Sequence, residues 1–425
     1  MNTELLLLLG SFLVFLLIGT TVAAAMMASA VLTILSTGMP VTVVAERVLG
    51  GLNSFTLLAV PFFILAAVIM NRAGVTEALL AVARCFVGHF RGGTAQVDVL
   101  ASILFAGMSG SATADAASQG RMLIPAMQRE GYDLRFAAGV TAASSTVGAI
   151  IPPSIAMIIY GSITSISIGA LFLAGIVPGL LIGFGMMILV AFIARARDYP
   201  RKPYVPWRER WPIVFRGLPA LLAPVVILGG IATGVTTATE AGVIACLYSL
   251  FLGLFVYREI GLRDLMPLLA ESVEATAVPV FIIAAAVIFG FVLTINGFGF
   301  MVEDLLLGIT ESPLVFILIV IALFLVVGLF VEGTAAMLIF VPVFAPVIGS
   351  YGIDPIHFAM IVIVTIMIGT ITPPVGLQLF VTASIARVPI LSVTIWPFVG
   401  VMVLVVLAMA VIPGLSTYLP SLMIP

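Results

Sequence analysis

Two short stretches of this chain mix glycine, hydroxyl and acidic residues: Gly107-Met-Ser109-Gly110-Ser111-Ala-Thr113-Ala-Asp115 and Phe330-Val-Glu332-Gly333-Thr334. Two others set hydroxyls and a glycine ahead of paired prolines. They read Ser144-Ser145-Thr146-x-Gly148-x-x-x-Pro152-Pro153 and Thr365-x-x-x-Gly369-Thr370-x-Thr372-Pro373-Pro374. The chemistry open to such residues is ligation. A proline removes a backbone donor and disrupts the turn before it, so carbonyls come free beside the hydroxyls. Uncharged oxygens of this kind suit a hard cation such as Na⁺, and the N-terminus of a helix that resumes after a break suits an anionic group. The structural alternative for any one motif is a simple kink, since Pro and Gly are frequent in membrane helices. Four motifs in two matching pairs favour a binding site.

Other chemistries find no support. There is no His-Glu-x-x-His and no Gly-x-x-x-x-Gly-Lys phosphate loop. His89 and His357 lie far apart, and Cys85 and Cys246 sit in apolar surroundings, where they read as core thiols. The three acids with a claim on an ion or a solute are Asp115, Glu332 and Glu240. Ionisable groups at membrane depth are costly and commonly functional. The structural alternatives are a helix cap for Asp115 and an internal lock on a helix start for Glu240.

The elements that must position these residues follow from composition. Of 425 residues, 62% are hydrophobic and 8% charged, against about 25% charged in a soluble domain. Runs such as Leu314 to Phe330 and Val399 to Ile412 are long and unbroken. A spanning helix needs about 20 apolar residues, and helices satisfy their own backbone in lipid. The composition predicts an all-α polytopic membrane protein. The N-terminal run from Leu5 to Leu9 lacks a basic segment before it and is expected to form a first helix, not a signal peptide. A net charge of −2 gives no reason to expect a nucleic-acid partner.

The sequence repeats itself. At an offset of 221, Gly107 meets Gly328, Thr113 meets Thr334, Pro125 meets Pro346, Gly131 meets Gly352, Asp133 meets Asp354, and Ile150-x-Pro152-Pro153 meets Ile371-x-Pro373-Pro374. Ala59-Val60-Pro61-x-Phe63-Ile64 matches Ala277-Val278-Pro279-x-Phe281-Ile282 at an offset of 218. The expected organisation is a first repeat over 1–194, with a hairpin tip near 107–115 and a helix break near 144–153. A linker covers 195–216. A second repeat fills 217–425, with its tip near 330–335 and its break near 365–374. The linker, rich in basic residues and carrying Trp207 and Trp211, is expected to be cytoplasmic and to hold an amphipathic surface helix. Around the first tip lie Arg84, Arg91, Arg121, Arg129 and Arg135, while the equivalent loops of the second half carry no Lys or Arg. By the positive-inside rule the two halves are inverted with respect to the membrane, an architecture common among secondary transporters. Each tip is expected to be re-entrant, entering and leaving on one side.

Taken together, Leu58-Ala-Val-Pro61-Phe62-Phe63, Met108 to Asp115, Gly148 to Ser154, Thr239-Glu240-Ala241 and Thr372-Pro373-Pro374-Val375-Gly376 resemble the large membrane subunit of tripartite ATP-independent periplasmic (TRAP) transporters, the DctM type, over essentially the whole chain. The resemblance implies an elevator-type member of the ion transporter superfamily, multi-pass in the bacterial inner membrane. It further implies Na⁺-driven import of an organic acid such as sialic acid, a C4-dicarboxylate or a sugar acid. Two partners are implied besides lipid: a small four-helix membrane subunit and a periplasmic substrate-binding protein. By analogy Ser109, Gly110, Ser111, Thr113, Gly148 and Pro152 form one Na⁺ site. Glu332, Gly333, Thr334, Gly369, Thr372 and Pro373 form another, so two or more Na⁺ ions are expected. Ser111, Asp115, Ser144, Ser145, Glu240 and Thr370 are the candidates for substrate contact or transport. Where the family often has Thr-Pro-Thr-Glu, this chain reads Thr237-Ala238-Thr239-Glu240. Two other readings stay open on the sequence. One is a stand-alone carboxylate symporter of the same superfamily. The other is an intramembrane enzyme built on an Asp115–Glu332 carboxylate pair.

Overall fold

The computed structural model describes residues 3–345 and 347–423, with the side chains of Ser109 and Met423 outside the description. Pro346, the partner of Pro125 in the repeat, therefore lies outside the described residues. Among these residues there are helices and turns but no strand. The chain opens with α1 (Thr3–Leu17), α2 (Val22–Ser36), α3 (Thr42–Leu52), α4 (Ala59–Arg72) and α5 (Val75–Val87). Next come α6 (Gly93–Ser109), α7 (Ala112–Arg129), α8 (Leu134–Ile150), α9 (Ile155–Thr164) and α10 (Ile168–Ala196). The second half holds α11 (Trp207–Ala232), α12 (Ala238–Phe251), α13 (Leu265–Ile295), α14 (Phe298–Ile309) and α15 (Pro313–Gly328). It ends with α16 (Gly333–Phe344), α17 (Pro355–Gly369), α18 (Leu377–Ala386), α19 (Trp396–Val411) and α20 (Gly414–Met423).

Four described helical stretches are long and apolar enough to cross a membrane: Ile168–Ala196, Trp207–Ala232, Ala238–Val256 and Leu262–Ile295. Four further pairs are apolar and long enough together but bend by more than 40° at a short break, as a broken span or a re-entrant loop does, among them α3 with α4 at 66° and α8 with α9 at 41°. Phe184, Phe192 and Phe281 are exposed on these helices, as lipid-facing side chains should be.

The repeat is visible in the helix starts. Asp133 and Asp354, 221 apart, both cap helices through their carboxylates, Asp133 accepting from the Arg135 N–H and Asp354 from the Ile356 and His357 N–H groups. The peptide bonds Pro152-Pro153 and Pro373-Pro374 are both cis. Contacts are reciprocal as well: α18 packs on α7 and α8, and its counterpart α9 packs on α16 and α17. The two halves also differ. The segment matched at offset 218 begins α4 after a sharp bend in the first half, whereas in the second it lies inside the continuous α13, with Pro279 within the helix.

One expectation needs correction. Residues 207–216 do not form a separate surface helix; they are the first turns of α11, which continues to Ala232. Pro206 precedes the first helical residue, a position where its missing N–H costs nothing. From there the chain is helical across Pro212, Pro219 and Pro224 without interruption. The irregular linker is confined to 197–206.

Backbone contact at glycine fixes how closely α15 and α17 approach. A Cβ on Gly369 would lie 2.6 Å from Gly328 Cα, and one on Gly328 would lie 2.8 Å from Gly369 Cα. Small residues at helix crossings in lipid allow such packing. Backbone cannot step aside as a flexible side chain can, so Gly369→Ala should destabilise the protein by about 1–3 kcal/mol. Gly290→Ala, at a site with nothing within 4 Å, is the control. Thermal unfolding in detergent checks this, and equal melting of the two variants would refute the close contact.

Candidate functional site

Helices α6 and α7 form an antiparallel hairpin. Ser102 donates to Gln119 Oε1 at 3.1 Å and Thr94 to Glu130 Oε2 at 2.7 Å, pairs that lie at matching distances from the tip. The turn is made at Gly110, whose φ of 60° is left-handed, a conformation glycine adopts without a Cβ penalty. Ser111 then caps α7, accepting from the Ala114 N–H. Helices α15 and α16 make the second hairpin, held by ring contacts such as Phe324–Phe340 at 5.8 Å. Its tip is capped by Glu332, whose carboxylate accepts from the Ala335 N–H at 3.0 Å.

Each tip is seated against the helix break of its own half. The carbonyl of Gly110 accepts from the Ile155 N–H at 3.4 Å, just beyond Pro152-Pro153, and a Cβ on Gly110 would come within 2.7 Å of the Pro153 carbonyl oxygen. Asp115 is fully buried, and its Oδ2 lies 2.1 Å from where a Cβ on Gly148 would stand. The absence of a side chain at 148 is what admits the carboxylate. In the second half a Cβ on Gly333 would meet Ile366 at 2.5 Å and Thr370 at 3.3 Å. Here Gly369 faces backbone, and the position matching Asp115 is Ala336.

The hydroxyls at the breaks share one arrangement. Ser145 donates to the Ala142 carbonyl at 2.8 Å, Thr370 to Met367 at 2.7 Å and Thr372 to Ile368 at 2.6 Å. Thr146 and Thr365 also turn back onto their own helices. A hydroxyl has one proton and two lone pairs. With the proton given to the helix, the lone pairs are left as acceptors and can ligate a cation.

The structure therefore brings Gly110, Ser111, Asp115, Gly148 and Pro152 into one neighbourhood, with Ser109 adjoining in the backbone and Thr113 half-buried on the first turn of α7. It brings Gly333, Thr370 and Gly369 into a second, with Thr372 and Pro373 in the same break and Thr334 half-buried beside the tip. Two acids are taken up at helix starts. Glu332 is exposed and caps its own helix. Glu240 is exposed and closes a capping box with Thr237 at 2.8 Å, and among the described residues no hydrogen bond joins it to either tip. Ser144 bonds elsewhere, to the carboxylate of Asp98 at 3.3 Å.

Sequence reading missed two buried polar residues here. Asp98, on α6, lies among apolar neighbours and belongs to no motif. Gln378, in the first turn of α18, is buried with its Oε1 unpartnered, and its N–H donates to the Thr370 carbonyl at 3.2 Å. Its place four residues after Pro374 was the available signal. A separate cavity of about 740 Å³ opens between the ends of α9 and α11, with the hydroxyl residues Ser54, Ser162, Ser165, Ser167, Thr233 and Thr237 among its walls.

Residues 9–415 match the family described as "Tripartite ATP-independent periplasmic transporter, DctM component". The chain is 42% identical over 348 residues to the sialic acid TRAP transporter large permease protein SiaM of Vibrio cholerae, covering 82% of each chain. It is 44% identical over 328 residues to the C4-dicarboxylate TRAP transporter large permease protein DctM of Pseudomonas aeruginosa, covering 77% of each. Among solved structures it is similar to the YdaH transporter of Alcanivorax borkumensis, with a TM-score of 0.61 over 88% of this chain and 86% of that one. At 15% identity that likeness is one of fold.

The Asp115–Gly148 contact makes a direct prediction. Gly148→Ala and Asp115→Ala should be non-additive in thermal stability, because the added methyl is harmful only while the carboxylate is present. A double-mutant cycle should give a coupling of at least about 0.5 kcal/mol. Additive effects would mean that the carboxylate lies elsewhere.

Proposed function

We propose a function on one premise: the chain belongs to the tripartite ATP-independent periplasmic transporter family, as its DctM component. Membership makes it a multi-pass membrane permease and not an enzyme. The carboxylate pair that enzymatic chemistry would need is not formed, since Asp115 is buried against Gly148 while Glu332 is exposed on its own cap.

On this reading the chain is the large subunit of a Na⁺-coupled secondary transporter in the bacterial inner membrane. It imports an organic acid, of the sialic acid, C4-dicarboxylate or sugar-acid class, delivered by a periplasmic binding protein. A small four-helix membrane subunit completes the assembly. The observation that carries the reading is the seating of each hairpin tip on its own helix break, with the protons of the break hydroxyls given to carbonyls of their own helices. Such a seat gives a cation uncharged oxygen ligands, with the Asp115 carboxylate beside them in the first half. The ion then adds the positive charge that a carboxylate solute needs. Ion and solute stabilise the same state, which is how their movements become coupled.

The halves are inverted, with the arginine-rich ends of the first hairpin in the cytoplasm. The two tips then approach the midplane from opposite sides. The reciprocal packing of α7 with α18 and of α9 with α16 supports their movement as one unit, as an elevator requires. The hydroxyl-lined cavity near Ser165 and Thr233 faces the periplasm and is the vestibule through which the solute arrives.

The alternative, a stand-alone Na⁺/carboxylate symporter, would use the same two seats. Reconstitution in liposomes with the small subunit separates them. Uptake of a sialic acid or C4-dicarboxylate should require both an inward Na⁺ gradient and the binding protein; substantial uptake without the binding protein would favour the stand-alone reading. In the same assay Thr372→Ala should raise the Na⁺ concentration for half-maximal uptake by about tenfold, equivalent to about 1.4 kcal/mol. An unchanged Na⁺ dependence would remove Thr372 from the ion site.

A further inference from the structure

The buried residue that the two seats leave unexplained is Asp98. Its side chain is 0% exposed, in the interior of α6 and some three turns from the hairpin tip. The hydroxyl of Thr141 donates to Oδ2 at 2.5 Å and that of Ser144 to Oδ1 at 3.3 Å, both from α8. Among the described residues no Lys, Arg or His forms an ion pair with it; the pairs present are all at exposed or half-exposed ends. One turn deeper along α6, Ser102 bonds to Gln119 of α7, whose Nε2 is buried without a hydrogen-bond partner. A column of buried polar groups thus runs between α6, α7 and α8.

The duplication supplies a control within the same molecule. Helices α15, α16 and α17 pack on one another as α6, α7 and α8 do. At an offset of 221, Asp98 corresponds to Ile319, Ser102 to Leu323, Gln119 to Phe340 and Thr141 to Val362. At these four positions the second half is apolar, and a hydroxyl is kept only where Ser144 corresponds to Thr365. Packing alone therefore does not call for a carboxylate at position 98. Burying a carboxylate is costly unless a cation, a metal ion or a proton, answers its charge, and two neutral hydroxyls do not supply one.

We propose that Asp98, with the Thr141 and Ser144 hydroxyls, binds a monovalent cation, Na⁺, at a third site confined to the first half and separate from the two tip-and-break seats. Two carboxylate oxygens and two hydroxyl oxygens converge there from two helices, a hard-oxygen set of the kind that holds such an ion. Binding at this place joins α6 to α8, and so holds the first tip in register with the break on which it sits. The inference rests on the Na⁺-coupled reading above and deepens it.

The test uses the complete transporter reconstituted with its partners, and the purified chain in detergent. Asp98→Asn keeps the shape and removes the charge. Thr141→Val installs the residue type of the second half and keeps the carboxylate, so it decides the matter if the first variant fails to fold. In liposomes, the number of Na⁺ ions carried per solute, read from the reversal potential, should fall by one in Asp98→Asn. Thr141→Val should raise the half-saturating Na⁺ concentration by about tenfold. In detergent without solute, replacing choline by Na⁺ should raise the melting temperature of the wild type, and this gain should shrink in both variants. Wild-type Na⁺ stoichiometry and an undiminished Na⁺-dependent melting gain in the variants would overturn the third site. So would an altered pH dependence with unaltered Na⁺ dependence, which would make the bound cation a proton. A wild type whose uptake and melting ignore Na⁺ would instead overturn the coupled reading on which the site rests.

Discussion

Every polar group of the backbone inside a bilayer must find its partner within the protein, because lipid offers none. A helix that stops at membrane depth breaks this condition unless another part of the chain is pressed against its end. In the second half the Gln378 N–H finds the Thr370 carbonyl within the break itself, and in the first half the tip supplies the partner. The hairpin tip covers the helix break, and the Gly110 carbonyl takes the Ile155 N–H that the prolines leave without a helical partner. The interrupted backbone of the first half is tolerated because the tip is there. The seat and its cover are therefore one structure, and the rest of the fold serves to hold them together.

The glycines show how the two copies diverged on that common frame. Gly148 makes room for a carboxylate, and Gly369 makes room for the backbone of Gly328. The same residue type at the same repeat position thus solves two different packing problems. One half carries a charge beside its break, and the other brings two helices into direct contact there.

Much of this was legible in the sequence. The paired prolines, the Gly-Ser and Glu-Gly tips and the 221-residue offset mark the interruptions, because Gly and Pro act through the backbone and act locally. The side-chain roles were less legible. Glu332 and Glu240 read as intramembrane acids, but both lie at helix starts, where a carboxylate is satisfied by free N–H groups and remains exposed. Trp207 and Trp211 suggested a surface helix, yet the segment runs on into α11 because Pro206 starts a helix and the apolar residues after it sustain one. Asp98 was overlooked because Val97 and Val99 flank it and no motif surrounds it. The mismatch of Asp98 with Ile319 was the informative position.

The reciprocal packing of α9 on α16 and of α18 on α7 and α8 also has a consequence in time. When α9 has left the ribosome, the surface it will cover does not yet exist; α16 begins at Gly333, long after α9 ends at Thr164. At about 5–20 residues per second of synthesis, that interval lasts roughly ten to thirty seconds. For this period the first half sits in the membrane with an incomplete core and an interrupted helix awaiting its counterpart. Nascent chains of this design depend on what shields that half-built face, whether lipid, the insertion machinery or an early-arriving subunit. Biogenesis, no less than transport, is then a property of the interlock.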